Sequence, residues 1–144
     1  MQHYQLYTFE FLIRVFTGII FLFQGYDKLF SVKLKQVVDT FDDEAEKKHI
    51  PKTLVIISSY YSSIVECIGG LFLLLGIFKP IVLTLLGIDL LMVAVAFSSL
   101  EAMWDMKHVF PRLVLVSIMM ILPPHWEFFS LSKLLHIQFN FTWF

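Results

Sequence analysis

Four stretches of the chain carry very few charged residues, and their lengths are close to those of membrane-crossing helices. They run from about 9 to 30, 54 to 78, 80 to 100 and 108 to 122. A helix needs about 20 mostly apolar residues to cross a bilayer, so three stretches are long enough and the fourth is shorter. Charged residues make up 16% of the chain, against about 25% in an ordinary soluble domain. The sequence therefore predicts one all-α, membrane-embedded domain.

The connections between the predicted spans indicate how the helices are arranged. Those around 78–80 and 101–107 are short, so the helices that they join should be antiparallel neighbours, and we predict an antiparallel four-helix bundle. The first loop, 31–53, is long, and 10 of its 23 residues are charged. Val37, Val38 and Phe41 recur in it at helical spacing. This pattern fits an amphipathic segment on the bilayer surface and fits a solvated connector helix equally well.

Lysine and arginine are more abundant on the side of the long loop than on the side of the two termini. The positive-inside rule would place that loop in the cytoplasm of a cell with an inner membrane. Five acidic residues interleave with its lysines, however, so both orientations stay open. We expect both termini on the same side of the inner cell membrane.

Residue types and placement exclude several classes of function. A net charge of −1 provides no basic field for holding nucleic acid. The single cysteine, Cys67, cannot form an internal disulfide or a CxxC pair. All five histidines fall in loops, tails or span ends, so no bis-histidine haem site can be drawn inside the membrane. We expect no metal site and no cofactor bound by this chain, with a quinone or a lipid as a possible ligand.

We single out four charged residues within the spans as an intramembrane set: Arg14, Glu66, Asp89 and Arg112. A charge at the centre of a bilayer costs about 2.5–3.5 kcal/mol on insertion scales, so it normally faces the bundle interior and has a partner. An Arg14–Glu66 contact and an Arg112–Asp89 contact are both within reach. The candidate residues of a polar pocket, with two from the end of the first span, are Arg14, Gln24, Lys28, Glu66, Asp89 and Arg112.

Small residues accompany this polar set at helical spacing. Gly18 and Gly25 share a face of the first span with Arg14, and Gly69 and Gly70 follow Glu66 in the second. Small residues let helices approach closely in lipid. The shared face is then either a packing seam around a neutralised ion pair or the wall of a small polar cavity open to a lipid-soluble ligand. The two interpretations carry about equal weight.

The first span contains the motif Arg14-x3-Gly18-x6-Gly25-x2-Lys28-Leu29-Phe30. The second contains Glu66-x2-Gly69-Gly70-Leu71-Phe72-Leu73-Leu74-Leu75-Gly76. These motifs resemble the first-helix and second-helix signatures of the DoxX family of small four-helix membrane proteins. The similarity covers roughly positions 10 to 124. The residues carried over by the resemblance are Arg14, Gly25, Lys28, Glu66, Gly69 and Gly70.

The resemblance implies a role in membrane redox chemistry. Family members include the small membrane subunit of a thiosulfate:quinone oxidoreductase or terminal quinol oxidase assembly, and others are linked to oxidative-stress complexes or to maturation of redox proteins. It also implies the opposite membrane orientation to the one that the lysines favour. The chain departs from the family pattern in its charged first loop and in its long aromatic tail.

The end of the chain alternates aromatic or aliphatic residues with polar ones. From His136 onward, Ile137, Phe139, Phe141 and Trp143 alternate with polar side chains, and this period of two is typical of a strand. We favour an aromatic anchor at the level of the lipid headgroups, within an interfacial tail over 125–144. The alternative is that 136–144 adds a strand to the sheet edge of a partner protein.

These observations lead to two functional hypotheses. The first is a cofactor-free membrane subunit of a quinone-linked redox assembly, in which the polar pocket meets a quinone or a lipid headgroup. The alternative is a structural scaffold or a maturation factor for a membrane complex, in which the buried charges only hold the bundle together. A small-molecule transporter is disfavoured because no pair of broken helices occurs in repeated positions.

Overall fold

The computed structural model describes residues 2–31, 38–39, 46–100, 106–127 and 129–134. Over these ranges the chain is built from helices and contains no β-strand, so the predicted all-α class is confirmed. Most of the proposed amphipathic segment of the first loop and the alternating tail 136–144 lie outside the described residues. The longer helices are α1 (Gln2–Tyr26), continued by a π-helical turn (Asp27–Ser31), α2 (Lys52–Leu75), α3 (Lys79–Leu100) and α4 (Met106–Ile121). A 3-10 turn (Pro124–Trp126) and the short α5 (Leu131–Leu134) follow.

Three helical segments in the described part of the chain are long and apolar enough to cross a membrane: Tyr4–Ser31, Lys52–Leu75 and Lys79–Ala96. The apolar part of α4, Val109–Ile121, is shorter, as the sequence predicts. Large apolar side chains such as Phe23 project from the helices, 61% exposed. A water-soluble domain rarely presents an apolar surface of this extent. The chain is therefore a multi-pass membrane protein whose helices contact lipid.

α1 and α2 form the most extensive helix contact, and glycines allow their close approach. A Cβ placed on Gly25 would lie 2.4 Å from the backbone nitrogen of Cys67, and one on Gly70 would lie 2.3 Å from the backbone nitrogen of Leu22. Gly18 lies against Gly70 in the same interface. Residue numbers fall along α2 as they rise along α1, so these two helices run in opposite directions. Gly69 instead faces α3.

The turn between α2 and α3 is closed by backbone hydrogen bonds around Gly76. Gly76 adopts a left-handed conformation, with φ of 66°, which a residue without Cβ adopts at no steric cost. Its N–H donates to the carbonyl oxygen of Leu73, and the N–H of Ile77 donates to that of Phe72. This pattern satisfies carbonyls that the helix end would leave free. The resulting tight turn sets α3 directly beside α2, where Leu73, Leu86 and Leu90 enter one buried core.

Candidate functional site

Glu66 is the centre of a buried ionic cluster in the middle of α2. Its side chain is fully buried, and its two carboxylate oxygens lie against different cations. Oε1 lies 2.8 Å from Nη1 of Arg112, and Oε2 lies 2.5 Å from Nζ of Lys28. Nη1 of Arg112 also donates to Oε1 of Gln24 at 2.6 Å. The cluster thus joins α1, the π-helical turn, α2 and α4 through charged and polar side chains.

The π-helical turn after α1 carries Lys28 to this cluster. A π-helix is wider than an α-helix and is rare, and single π turns are frequent at functional sites. Ser31 Oγ donates to Asp27 Oδ1 at 3.1 Å across the same turn. Lys28 is 29% exposed, so its Nζ pairs with the buried Glu66 while its stem extends along the bundle surface. The sequence offers no signal for this π-helical turn.

Asp89 lies next to the Glu66 cluster, on the facing side of α3. It is fully buried, and Ser62 Oγ donates to its Oδ2 at 3.2 Å. Its other oxygen, Oδ1, is buried and has no hydrogen-bond partner among the described residues. The two contacts considered from the sequence, Arg14–Glu66 and Arg112–Asp89, are replaced by others. Glu66 pairs with Arg112, and Asp89 accepts a hydrogen bond from Ser62. The reason is depth, since Arg14 is too far along α1 to reach the middle of α2.

Arg14 belongs to a second buried cluster, at the end of the bundle where α2 turns into α3. Its Nε lies 3.2 Å from Glu10 Oε1, and Lys79 Nζ lies 3.0 Å from the same oxygen. Lys79 also lies 3.1 Å from Glu127 Oε1. Two cations and two anions therefore meet here, mirroring the zero net charge of Lys28, Arg112, Glu66 and Asp89 in the first cluster.

Arg14 also holds backbone carbonyls at this end of the bundle. Its Nη1 donates to the carbonyl oxygens of Leu73 at 2.9 Å and Leu74 at 3.3 Å, and Nη2 donates to that of Phe129. The last carbonyls of a helix have no intrahelical partner and carry partial negative charge, so a guanidinium suits them. Arg14 thus caps α2 and attaches the segment after α4. Arg14 therefore lies apart from the other five predicted pocket residues.

Glu10, Lys79 and Glu127 are residues that the sequence interpretation missed. Glu10 precedes Arg14 by four residues, and opposite charges at this spacing lie on one helix face, so a signal for it was present. Lys79 sits at the boundary of a predicted span, where a solvated lysine is the ordinary expectation. Glu127 lies beyond the last span, and no spacing rule connects it to Lys79.

A cleft of about 560 Å³ runs between α2 and α3 beside the Glu66 cluster. Its length is lined mainly by apolar side chains, including Leu54, Leu91 and Val95, which are also exposed on the lipid-facing surface. Lys28, Ser62 and Ser63 line its inner, polar end, which adjoins Asp89 and Glu66. An apolar molecule with a small polar head fits such a space. No three His, Cys, Asp or Glu side chains in the described ranges come close enough together to hold a metal ion.

Serines of α2 line this cleft where α2 faces α3. Ser63 Oγ donates to the carbonyl oxygen of Ser59 at 2.7 Å, so its proton is engaged within α2. Ser62 Oγ instead crosses to α3. A second cavity of about 400 Å³ between the same helices is lined by apolar residues and Gly69 and has no charged residue in its wall. Gly70 thus packs against α1, and the serines border a cavity on a different face of α2.

Comparison with known proteins shows which family the two helix motifs of α1 and α2 belong to. The family model DoxX matches residues 9–99, a range that includes Arg14, Lys28, Glu66 and Asp89 but not Arg112. No curated protein and no solved structure matches the chain. The matched range is more than half of the 144 residues and contains both helix signatures. On this evidence, the chain belongs to the DoxX family.

Proposed function

We propose that this chain is a membrane subunit of a quinone-linked redox assembly and that it holds a quinone head group without a cofactor of its own. The observation that carries the proposal is the depth of the polar end of the cleft. Ser62 lies near the middle of the 24-residue α2, and Asp89 lies near the middle of the 22-residue α3. At 1.5 Å per residue these helices are about 33–36 Å long, so the polar end is about 15–20 Å from either helix end.

This depth favours a quinone over a phospholipid as the ligand. The hydrocarbon core of a bilayer is about 30 Å thick, so a charged phospholipid headgroup stays about 15 Å from its centre. A quinone has a small uncharged head on an apolar tail, and it can take its head to mid-depth without carrying a charge into lipid. The apolar walls at Leu54, Leu91 and Val95 suit the tail.

Lys28 supplies a hydrogen-bond donor at the polar end. An ammonium group has three donors, and Glu66 Oε2 accepts from Nζ of Lys28. A further N–H is therefore available for a quinone oxygen. The buried Glu66 carboxylate holds the Lys28 ammonium at this end of the cleft, and a hydrogen bond away from bulk water is stronger than one in water.

Filling the cleft tests this proposal. Ser59 lines the cleft, so a Ser59→Leu substitution narrows it, whereas Ser117 is exposed on α4 and Ser117→Leu is a matched control. We expect Ser59→Leu to lower quinone-linked electron transfer in membranes of the source organism, at equal amounts of inserted protein, and Ser117→Leu to leave it unchanged. Unchanged transfer in a fully inserted Ser59→Leu protein would defeat the proposal.

A scaffold or maturation role is the second candidate, and the pairing of Glu66 favours it. Both of its carboxylate oxygens contact cations from other parts of the bundle, so the cluster stabilises the arrangement of helices without any ligand. This role predicts that Glu66→Gln and Arg14→Ala lower thermal stability and partner recovery together. The redox role predicts that Glu66→Gln lowers electron transfer in the protein that remains inserted.

The finer architecture belongs to the same proposal. We place all four long helices in one antiparallel bundle in the inner cell membrane, with redox proteins as partners. The tail 136–144 is proposed as an aromatic anchor, with strand addition to a partner as the alternative. Deleting 137–144 and following co-purification in mild detergent separates these, since an anchor leaves recovery of the partner unchanged.

A further inference from the structure

We infer that Ser62, oriented by Asp89, selects head groups that carry a hydroxyl over head groups that carry only carbonyl oxygens. This inference rests on the proposed function in placing the head group at the inner end of the cleft. It goes further by naming the residue that distinguishes a hydroquinone from a quinone. The residues that carry it are Ser62, Asp89 and Lys28.

The direction of one hydrogen bond is the first step. Ser62 Oγ donates to Asp89 Oδ2 at 3.2 Å, and an ionised carboxylate can only accept. The single hydroxyl proton of Ser62 is therefore used in the hydrogen bond to Asp89 on α3. What Ser62 can offer the cleft that it lines is a lone pair, so its partner there must be a donor.

The surroundings of Asp89 reinforce this direction. Asp89 is fully buried, and its Oδ1 has no hydrogen-bond partner in the described part of the chain. A buried carboxylate with a free oxygen is a strong acceptor, and leaving it short of donors is costly. A ligand that donates to Ser62 polarises the serine hydroxyl toward Asp89, which strengthens both bonds in the chain. A ligand that can only accept hydrogen bonds forms no hydrogen bond with Ser62 and does not strengthen the Ser62–Asp89 bond.

Lys28 provides the hydrogen-bond donor that complements the acceptor on Ser62. Its Nζ donates to Glu66 Oε2 and lines the same end of the cleft, so it presents N–H groups to a ligand. A hydroxyl oxygen accepts from Lys28 while its proton goes to Ser62. A carbonyl oxygen accepts from Lys28 and leaves Ser62 unmatched. The inner end of the cleft is thus complementary to a phenolic hydroxyl.

The test compares ligands that differ only in this group, using the full chain in lipid nanodiscs. One pair is a decyl-substituted benzoquinone and its hydroquinone, kept reduced under argon. A redox-inert pair is 4-decylphenol and its methyl ether. Binding is measured by isothermal titration calorimetry, with empty nanodiscs titrated in parallel to correct for partition into lipid. We expect the hydroquinone and the phenol to bind about tenfold more tightly than their partners, the effect of one well-placed hydrogen bond.

Variants then assign the preference to the named residues. Ser62→Ala removes the acceptor, and Asp89→Asn allows the serine to donate into the cleft, because an amide can donate to the serine oxygen. Both should reduce the preference for the hydroxyl-bearing ligand of each pair to less than about twofold. Ser117→Ala, an exposed serine whose hydroxyl donates within α4, should keep the wild-type preference. Each variant is first matched to wild type by thermal unfolding.

The outcomes separate this inference from the proposed function. If the benzoquinone and hydroquinone bind with equal affinity to the wild-type protein, the inference is overturned and the quinone site stands. If neither of them binds saturably, both the site and the inference are overturned. If Ser62→Ala and Asp89→Asn keep the tenfold preference, Ser62 is not the selecting residue. Where a variant does not fold, the two ligand pairs on the wild-type protein decide.

Discussion

Glu66 and Arg112 form a buried ion pair between α2 and α4, with 2.8 Å between Oε1 and Nη1 and at most 8% of either side chain exposed. They are separated by 46 residues in sequence. Lys28 contacts the other oxygen of Glu66, so a single carboxylate links the end of α1 to both helices. α4 is the shortest of the four long helices, and Arg112 links it to α2 by this ion pair.

Substitutions at this pair should therefore show strong coupling. Glu66→Leu removes the carboxylate that Arg112 and Lys28 both contact, and breaking a buried pair in this way costs about 3–5 kcal/mol. Glu66→Leu combined with Arg112→Leu removes both charges, and the partly exposed Lys28 can turn to the surface. We expect the double variant to be more stable than Glu66→Leu alone, measured by thermal unfolding in detergent with circular dichroism. Additive losses would show that the two side chains do not stabilise each other.

The glycines of the α1–α2 contact should tolerate no side chain. Gly25→Ala and Gly70→Ala place a Cβ within 2.4 Å and 2.3 Å of backbone nitrogen atoms, which cannot move without separating the helices. Overpacking of this kind costs about 1–3 kcal/mol, and the loss should appear as a lower melting temperature. Gly87→Ala is the control, because its Cβ would meet its nearest neighbour at 3.9 Å. Equal melting temperatures for Gly25→Ala and Gly87→Ala would contradict the close approach.

The helices themselves follow from the sequence because long apolar runs in lipid can satisfy their backbone only within a helix. The inward location of Glu66, Asp89 and Arg112 follows for the same reason, since each is costly in contact with lipid. The contacts that these three side chains make cannot be predicted from the sequence. Whether Arg14 or Arg112 reaches Glu66 depends on the relative depth of α1, α2 and α4, and that depth is fixed by close helix packing.

The second cluster shows another limit of sequence reasoning. Glu10 could have been recognised from its spacing to Arg14, but the Lys79–Glu127 contact arises from the turn between α2 and α3 and from the course of the chain after α4. Such contacts join positions that no local periodicity relates. The direction of the Ser62–Asp89 hydrogen bond is likewise visible only once α2 and α3 are packed together.

Lys79 should control how firmly the segment after α4 is attached. It is 6% exposed and contacts Glu10 and Glu127 at once, so Lys79→Met removes the charge that holds Glu127 against the bundle. We expect faster hydrogen–deuterium exchange in the peptide covering 124–134 and unchanged exchange around the middle of α3. The exposed Thr84→Ala, on the same helix, serves as the control. Equal exchange in Lys79→Met and Thr84→Ala would show that Lys79 does not hold this segment.

The shape of the Arg14 guanidinium, as well as its charge, should contribute to the stability of the protein. It donates from two nitrogens to the end of α2 and to the carbonyl of Phe129, whereas a lysine has one nitrogen and cannot reach both. Arg14→Lys keeps the charge beside Glu10 and should still cost about 1.5–3 kcal/mol, the range for a lost hydrogen bond to a charged group. Arg14→Gln, which also removes the positive charge beside Glu10, should unfold at a lower temperature again. Wild-type stability in Arg14→Lys with a loss in Arg14→Gln would mean that Arg14 acts through charge and that capping of α2 contributes little.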